Sequence, residues 1–239
     1  MTEVYVDLGL ESEPISEDTP THRLIPWTLE RFADQRVVMT SSFGMEGCAL
    51  IDMYARVDKP LTVVYLDTMF FFPETYDLRD RMVERYPHLK FVNRGTTLTP
   101  EEQVSLYGNE LWKKDPDLCC KLRKVDPMRA VMAEADVWIT AIRRSQSVAR
   151  AHIRVIEWDW RNHVLKLCPL ANWEREDVWE YIKKHNVPYN DLHEQGYPTV
   201  GCTHCTQPVP GSSPADYSRA GRWQDIEKTE CGLHGGAGI

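Results

Sequence analysis

Arg36-Val37-Val38-Met39-Thr40-Ser41-Ser42-Phe43-Gly44-Met45-Glu46-Gly47 is an apolar run that breaks into small polar residues and then resumes as a helical pattern. Arg36 to Ser41 reads as a buried strand, and Met45 to Arg56 as the helix after it. Small residues between them let backbone N–H groups approach an anion, and the helix N-terminus adds its dipole. A tight strand-to-helix turn accounts for the same residues without a ligand.

The alternation continues outward. A helix is expected over Leu24 to Asp34. Leu61 to Leu66 is a second apolar strand, and Asp67 to Phe72 is its exit loop. Pro73 starts a helix to about Tyr86, where its missing N–H costs nothing. Lys90 to Asn93 is a third strand, and Pro100 opens another helix. Asp115-Pro116-Asp117 starts a helix that carries Cys119 and Cys120 and runs to about Ala135. Asp136 to Ile142 is a fourth strand. Ile153 to Trp158 and Val164 to Leu167 form a pair that turns near Arg161-Asn162. Glu174 to His185, with Val178, Trp179, Tyr181 and Ile182 apolar, is an amphipathic helix. This order predicts an α/β domain, a mostly parallel sheet with helices on both faces. Ligands bind such sheets at the carboxyl ends of the strands. Ser41, Ser42 and Gly44 share that edge with Leu66 and Asp67. Asp67 is suited to capping, to a ribose hydroxyl, or only to closing its loop. Beyond Pro188 the chain is rich in Gly, Pro, Ser and Cys, as expected of a metal-pinned segment and a mobile tail.

Net charge is −8 over 239 residues, which excludes general binding to a nucleic-acid backbone. No apolar run approaches the roughly 20 residues of a membrane span. Glu3, Asp7, Glu11, Glu13, Glu17 and Asp18 crowd the start without a Lys or Arg. That is no secretory signal; residues 1–22 read as a disordered acidic leader. Seven cysteines do not have the spacing of a secreted disulfide scaffold, and a reducing cytoplasm with metal-bound thiolates fits them better. Cys48 and Cys168 lie in apolar segments and belong to the core.

Cys231 stands in Lys228-Thr229-Glu230-Cys231-Gly232-Leu233-His234, close to a glycine-rich end. Thiolates are the nucleophiles, and nearby cations favour them. Lys228 and His234 are placed to supply that charge, and Glu230 to oppose it. Cys119, Cys120, Cys202 and Cys205 are candidate metal thiolates. Zinc needs four ligands converging on one atom, and adjacent helical residues diverge by about 100°. A four-iron cluster offers four separate corners to four cysteines. Zinc and buried free thiols are the other readings. Lys124, four residues past Cys120, falls on the same helical face. Arg143 and Arg150 after the fourth strand, with Arg219 and Arg222 near the end, carry forks that suit phosphate or sulfate oxygens. Pairing with surface carboxylates is their other use.

Ser41-Ser42-Phe43-Gly44, Leu66-Asp67-Thr68 with Pro73-Glu74-Thr75, Cys119-Cys120, Arg143-Arg144-x-Gln146-Ser147, Cys202-x-x-Cys205 and Glu230-Cys231-Gly232-Leu233-His234 together resemble the assimilatory, thioredoxin-dependent adenylyl-sulfate reductases, in the family shared with phosphoadenylyl-sulfate reductases. The resemblance spans about Val37 to His234. It implies a Rossmann-like, adenine nucleotide alpha hydrolase-like domain over 23–200, and a cluster-ligating segment with a mobile catalytic tail over 201–239. It implies a [4Fe-4S] cluster on Cys119, Cys120, Cys202 and Cys205, and adenosine 5′-phosphosulfate as substrate. It implies that Cys231 forms an S-sulfocysteine resolved by thioredoxin or a similar dithiol in the cytoplasm, during sulfate assimilation and cysteine biosynthesis. Lys124 and His234 would assist Cys231. Arg143, Arg150, Arg219 and Arg222 would hold the phosphosulfate, and Ser41, Ser42, Gly44, Leu66 and Asp67 the nucleotide. A homo-oligomer stays open. Met69 departs from the Gly common after Leu-Asp-Thr, and Gln207 from a common Arg. The alternatives are the 3′-phosphorylated substrate, a zinc-containing nucleotide-activating enzyme of the pyrophosphatase fold, and a zinc-stabilised binding module without catalysis.

Overall fold

The computed structural model describes residues 15–215, 219–224, 226 and 228–234. Residues 1–14 of the expected leader lie outside that set. Of the leader's remainder, Glu17 pairs with Arg144 and with Arg154, and helix α1 (Thr21–Arg31) already begins at its end.

Six strands form one sheet in the order β3-β2-β1-β4-β6-β5. They are β1 (Val37–Thr40), β2 (Thr62–Tyr65), β3 (Lys90–Asn93), β4 (Val137–Thr140), β5 (Ile156–Asp159) and β6 (Val164–Leu167). All neighbours run parallel except β5 with β6. Strand order reverses beside β1, so a crevice opens beyond the ends of β1 and β4.

Both faces of the inner strands are covered, which is why β1, β2, β4 and β6 read as largely apolar runs, while the edge strands β3 and β5 carry polar residues. Met39, Val63 and Ile139 pack on α2 (Met45–Ala55), α3 (Pro73–Arg85) and α8 (Arg175–His185) through Leu50, Tyr54, Leu78, Met82, Val178 and Ile182. Val64, Trp138 and Val164 face the opposite way, onto Met128, Val131 and Met132. Leu24 and Trp27 of α1 join Val137, Leu165 and Leu167. Cys48 and Cys168 are fully buried, as expected of core residues.

Two local results differ from expectation. After α4 (Pro100–Tyr107), a short unforeseen helix, α5 (Leu111–Lys114), precedes the cysteine pair. The long helix through Cys119 and Cys120 is also not uniform. α6 (Pro116–Cys120) passes into a π turn at Lys121–Val125 and then into α7 (Asp126–Ala133). Pro127 lacks the N–H that would bond the carbonyl four residues back, and its ring crowds that carbonyl. A wider turn relieves both, and such π-bulges recur at functional sites. Lys124 therefore does not follow Cys120 at the regular α-helical offset.

Beyond α8 the chain recrosses the sheet edge. Phe71 and Cys202 form an antiparallel bridge, and Thr206 bridges Arg222. These contacts carry Cys202 and Cys205 back to the exit loop of β2. Among the described residues no helix is long and apolar enough to cross a membrane.

Candidate active site

A cavity of about 230 Å³ lies at the carboxyl ends of β1, β2 and β4. The strand-to-helix loop forms its floor. Ser41 Oγ accepts a bond from the Phe43 N–H at 3.0 Å, and Phe43 takes a left-handed φ of 56°. A Cβ on Gly47 would lie 2.6 Å from Ser41 Oγ, so a larger residue there would have to displace that hydroxyl from the loop. Ser41, Ser42, Gly44 and Leu66 all line the cavity.

Asp67 does not. Its carboxylate accepts from the Met69 N–H at 2.7 Å and the Tyr76 hydroxyl at 2.9 Å, so it closes the exit loop. Met69 sits at φ 58°, the left-handed region that glycine enters freely. Its side chain lies outside the cavity lining, so the departure at 69 falls on the loop backbone rather than on the pocket wall. Gln207 is exposed, and its N–H bonds the Gly221 carbonyl at 2.8 Å.

The arginines divide. Arg143 is 1% exposed and lies behind the cavity, not on its wall. Its Nε and Nη2 donate to Glu46 at 3.1 and 3.0 Å, and Arg175 donates to the same oxygen at 3.2 Å. Burial pushes the Glu46 carboxyl up, but Arg175 and Arg143 outweigh it and hold it at about 2. Arg143 thus ties β4 to α2 and α8. Arg150, Arg219 and Arg222 do line the cavity, together with Lys124 and Cys231. Arg222 donates to the Cys205 carbonyl at 3.0 Å and lies over the Trp223 ring.

Cys231 is brought under cations, though not those adjacent in sequence. Burial pushes its thiol up, yet Lys124, the Leu233 N–H, Arg150 and Arg222 more than offset this and leave it below the usual range. Lys228 instead pairs with Asp117. His234 is stacked on Trp138 and is held neutral, because burial and the nearby Arg150 and Lys166 lower its pKa well below the ordinary value. Glu230 does not face the thiol unopposed. It bonds Arg150 at 2.9 Å and Ser147 at 2.8 Å.

Cys119, Cys120, Cys202 and Cys205 line one adjoining small cavity, and Lys124 borders both cavities. Among the described residues no three His, Cys, Asp or Glu side chains converge as a single ion would require. A donor set of four sulfurs around a cavity, rather than around a point, suits a cluster with separate iron corners. Burial and repulsion from the neighbouring cysteines push the Cys119 thiol up to about 12, so it ionises poorly without a cationic centre beside it. Arg123 lies beside them, 1% exposed. It donates to Gln103 at 2.7 Å and to the Thr68 carbonyl at 2.8 Å, while its buried Nη2 has no hydrogen-bond partner. An anionic thiolate cluster would satisfy it. His204 stacks on Trp112 with ring centroids 3.8 Å apart and closes the outer side.

Further buried polar atoms on residues of the main cavity, His193 Nε2, Arg219 Nε and His234 Nδ1 among them, have no hydrogen-bond partner. Buried polar groups are normally satisfied, so their concentration at one cavity points to a polar ligand. Glu46, Gln146, Arg175, Asn190 and His193 were not singled out from the sequence. Glu46 and Gln146 carried a signal, through their places in the strand-to-helix and arginine motifs. Arg175 reaches the cavity from α8, and Asn190 and His193 from the turn Asp191–Gln195 and the residue that caps it, by tertiary packing.

Residues 36–208 match the phosphoadenosine phosphosulfate reductase domain family. The chain is 44% identical over 211 residues to the adenosine 5′-phosphosulfate reductase of Halalkalibacterium halodurans, covering 88% of this chain and 90% of that protein. A crystal structure of phosphoadenylyl-sulfate (PAPS) reductase from Candida auris, a phosphate complex, superposes with a TM-score of 0.69 at 29% identity, covering 80% of this chain and 91% of that one. The Candida glabrata FMN adenylyltransferase shares the fold, with a TM-score of 0.57 at 15% identity over 83% of this chain and 68% of that one. By the extent of these matches, this chain belongs to the phosphoadenosine phosphosulfate reductase family.

Proposed function

We propose that this protein reduces adenosine 5′-phosphosulfate to sulfite and AMP. One observation carries the reading: the Cys231 thiol lines an anion-ready cavity whose cations lower its pKa. The nucleotide would lie along Ser41, Ser42, Gly44 and Leu66, with its phosphosulfate toward Lys124, Arg150, Arg219 and Arg222. Cys231 Sγ attacks the sulfate sulfur. The new S–S bond forms as the bond from sulfur to the bridging oxygen breaks, and AMP leaves with that electron pair. The guanidinium groups neutralise the charge that builds on the leaving phosphate. Opening of the tail exposes the S-sulfocysteine. A thiolate of thioredoxin or a similar dithiol then attacks Cys231 Sγ, sulfite departs with the electron pair, and the second thiol completes the dithiol's oxidation to a disulfide.

Cys119, Cys120, Cys202 and Cys205 would hold a [4Fe-4S] cluster, with Arg123 and Lys124 as its counter-cations. When bound it supplies an anionic, redox-capable centre beside the cavity. The setting is a reducing cytoplasm, in sulfate assimilation and cysteine biosynthesis, and a homo-oligomer is compatible with it.

The bacterial relatives, named adenosine 5′-phosphosulfate reductases, favour the unphosphorylated nucleotide. The activity of the Candida auris relative supports a second reading, the same chemistry on the 3′-phosphorylated nucleotide. Comparison of kcat/KM for the two decides between them. Anaerobic incubation with sulfur-labelled adenosine 5′-phosphosulfate, then mass spectrometry, tests the chemistry: an added sulfonate on the Cys231 peptide is expected. Sulfite release with that peptide never modified overturns the mechanism.

A further inference from the structure

Glu230 immediately precedes Cys231, and the residue is 9% exposed. One oxygen accepts from Arg150 Nη2 at 2.9 Å and lies 3.6 Å from Arg219 Nη2, and the other accepts from Ser147 Oγ at 2.8 Å. Arg219 also donates to the Thr229 carbonyl at 2.8 Å, so two consecutive tail residues hang on it. Arg150 and Arg219 both line the cavity that holds the Cys231 thiol. Burial pushes the Glu230 carboxyl up, but Arg150 and Arg219 outweigh it and keep the group charged.

An anion in that position is not needed to make the thiol reactive, because it opposes the thiolate. Nor does a tail dock cheaply by burying a carboxylate, unless the charge is paired. It does have two consequences. It relieves repulsion between clamp guanidiniums, since Arg219 is among the groups that lower the pKa of Arg222. It also stands where a sulfate or phosphate oxygen would accept from the same nitrogens.

We propose that Glu230 is an internal anion that anchors the catalytic tail to Arg150 and Arg219 and competes there with the phosphosulfate. The carboxylate is a positioning residue, acting on Cys231 through the backbone it holds. Loss of its charge loosens the tail, which lowers kcat, and frees the guanidinium edges, which tightens binding. A purely structural residue would not shift kcat and KM downward together. This role presupposes that an anionic nucleotide enters the cavity, as proposed above.

Two measurements on the full-length, cluster-loaded protein test it. In the ligand-free protein, Glu230→Gln should speed hydrogen exchange of the peptide covering residues 228–234 by about tenfold or more, the worth of a buried charged hydrogen bond. Glu230→Asp should restore slow exchange. Unchanged exchange in the Gln variant overturns the anchor. For competition, adenosine 5′-phosphosulfate is titrated into Cys231→Ser with Glu230 or Gln at 230. Removal of a like charge should tighten Kd by about threefold or more, and Glu230→Gln alone should show a lower KM with a lower kcat. Equal or weaker binding overturns the competition. If Cys231→Ser binds no such nucleotide at all, the substrate reading fails and the competition with it, while tail exchange still decides the anchor.

Discussion

The imidazole of His234 lies flat on the indole of Trp138, with 5.2 Å between centroids and 8° between planes. Trp138 belongs to β4 and is fully buried, and Lys166 sits over its ring at 5.4 Å. Leu233 packs beside Val64 and Met128 in the same cluster, and Arg161 donates to the Gly232 carbonyl at 3.1 Å. The residues just after Cys231 are thus pinned to the sheet itself. This geometry leads us to propose that His234 anchors the segment carrying Cys231 rather than serving as its counter-cation.

His234→Ala is accordingly expected to lower turnover roughly 10- to 100-fold, the cost of a nucleophile misplaced by about an ångström. Its pH–rate profile should keep the parent's acid limb, because His234 is already neutral across the working range. A limb near pH 6 that disappears in the variant would mean the imidazole titrates during catalysis.

Cys231→Ser should abolish sulfite formation while nucleotide binding and iron content stay at parental levels. In the parent, Cys231 should alkylate with an apparent pKa below that of a free thiol, since its pKa is lowered. Lys124→Ala should raise that value by removing the foremost cation. Retained turnover in the serine variant removes Cys231 as nucleophile.

Glu46→Gln leaves Arg143 and Arg175 buried with no carboxylate between them. Breaking a buried pair this way costs about 3 kcal/mol or more, or roughly 10 °C in Tm for a chain of this size. Because the folded pKa, about 2, is depressed below the ordinary 4.5, the stabilisation is fully present above pH 4.5. It is lost as pH falls toward 2. Thermal melts of the two proteins should therefore differ most near neutrality and converge on acidification. A gap that widens at low pH contradicts the assignment.

Cys120→Ser should lose iron and activity together, and the purified parent should be brown with acid-labile sulfide. A colourless parent containing zinc, or an iron-free variant with full activity, removes the cluster from the account.

Much of this protein was legible along the chain. Val37–Thr40 and Val137–Thr140 are strands because largely apolar runs suit the middle of a sheet covered on both faces. Pro73 and Pro100 begin helices because proline costs nothing there. The Cys231 motif and the two cysteine pairs stood out by residue type and spacing alone. Other features needed the third dimension. Pro127 announces a disturbance in its helix, but not that a π turn absorbs it. Arg143 and Arg150 sit in one motif. Packing sends the first to Glu46 behind the wall and the second to the cavity. Lys228 and His234 neighbour Cys231 in sequence, yet the cations that act on it are Lys124, Arg150 and Arg222. Local propensity and hydrophobic period are properties of short segments, so the sequence by itself determined the elements and the chemical inventory. Which charges face one another depends on how separate segments pack, with Arg150 and Glu230 80 residues apart in the chain, and only the tertiary structure decided that.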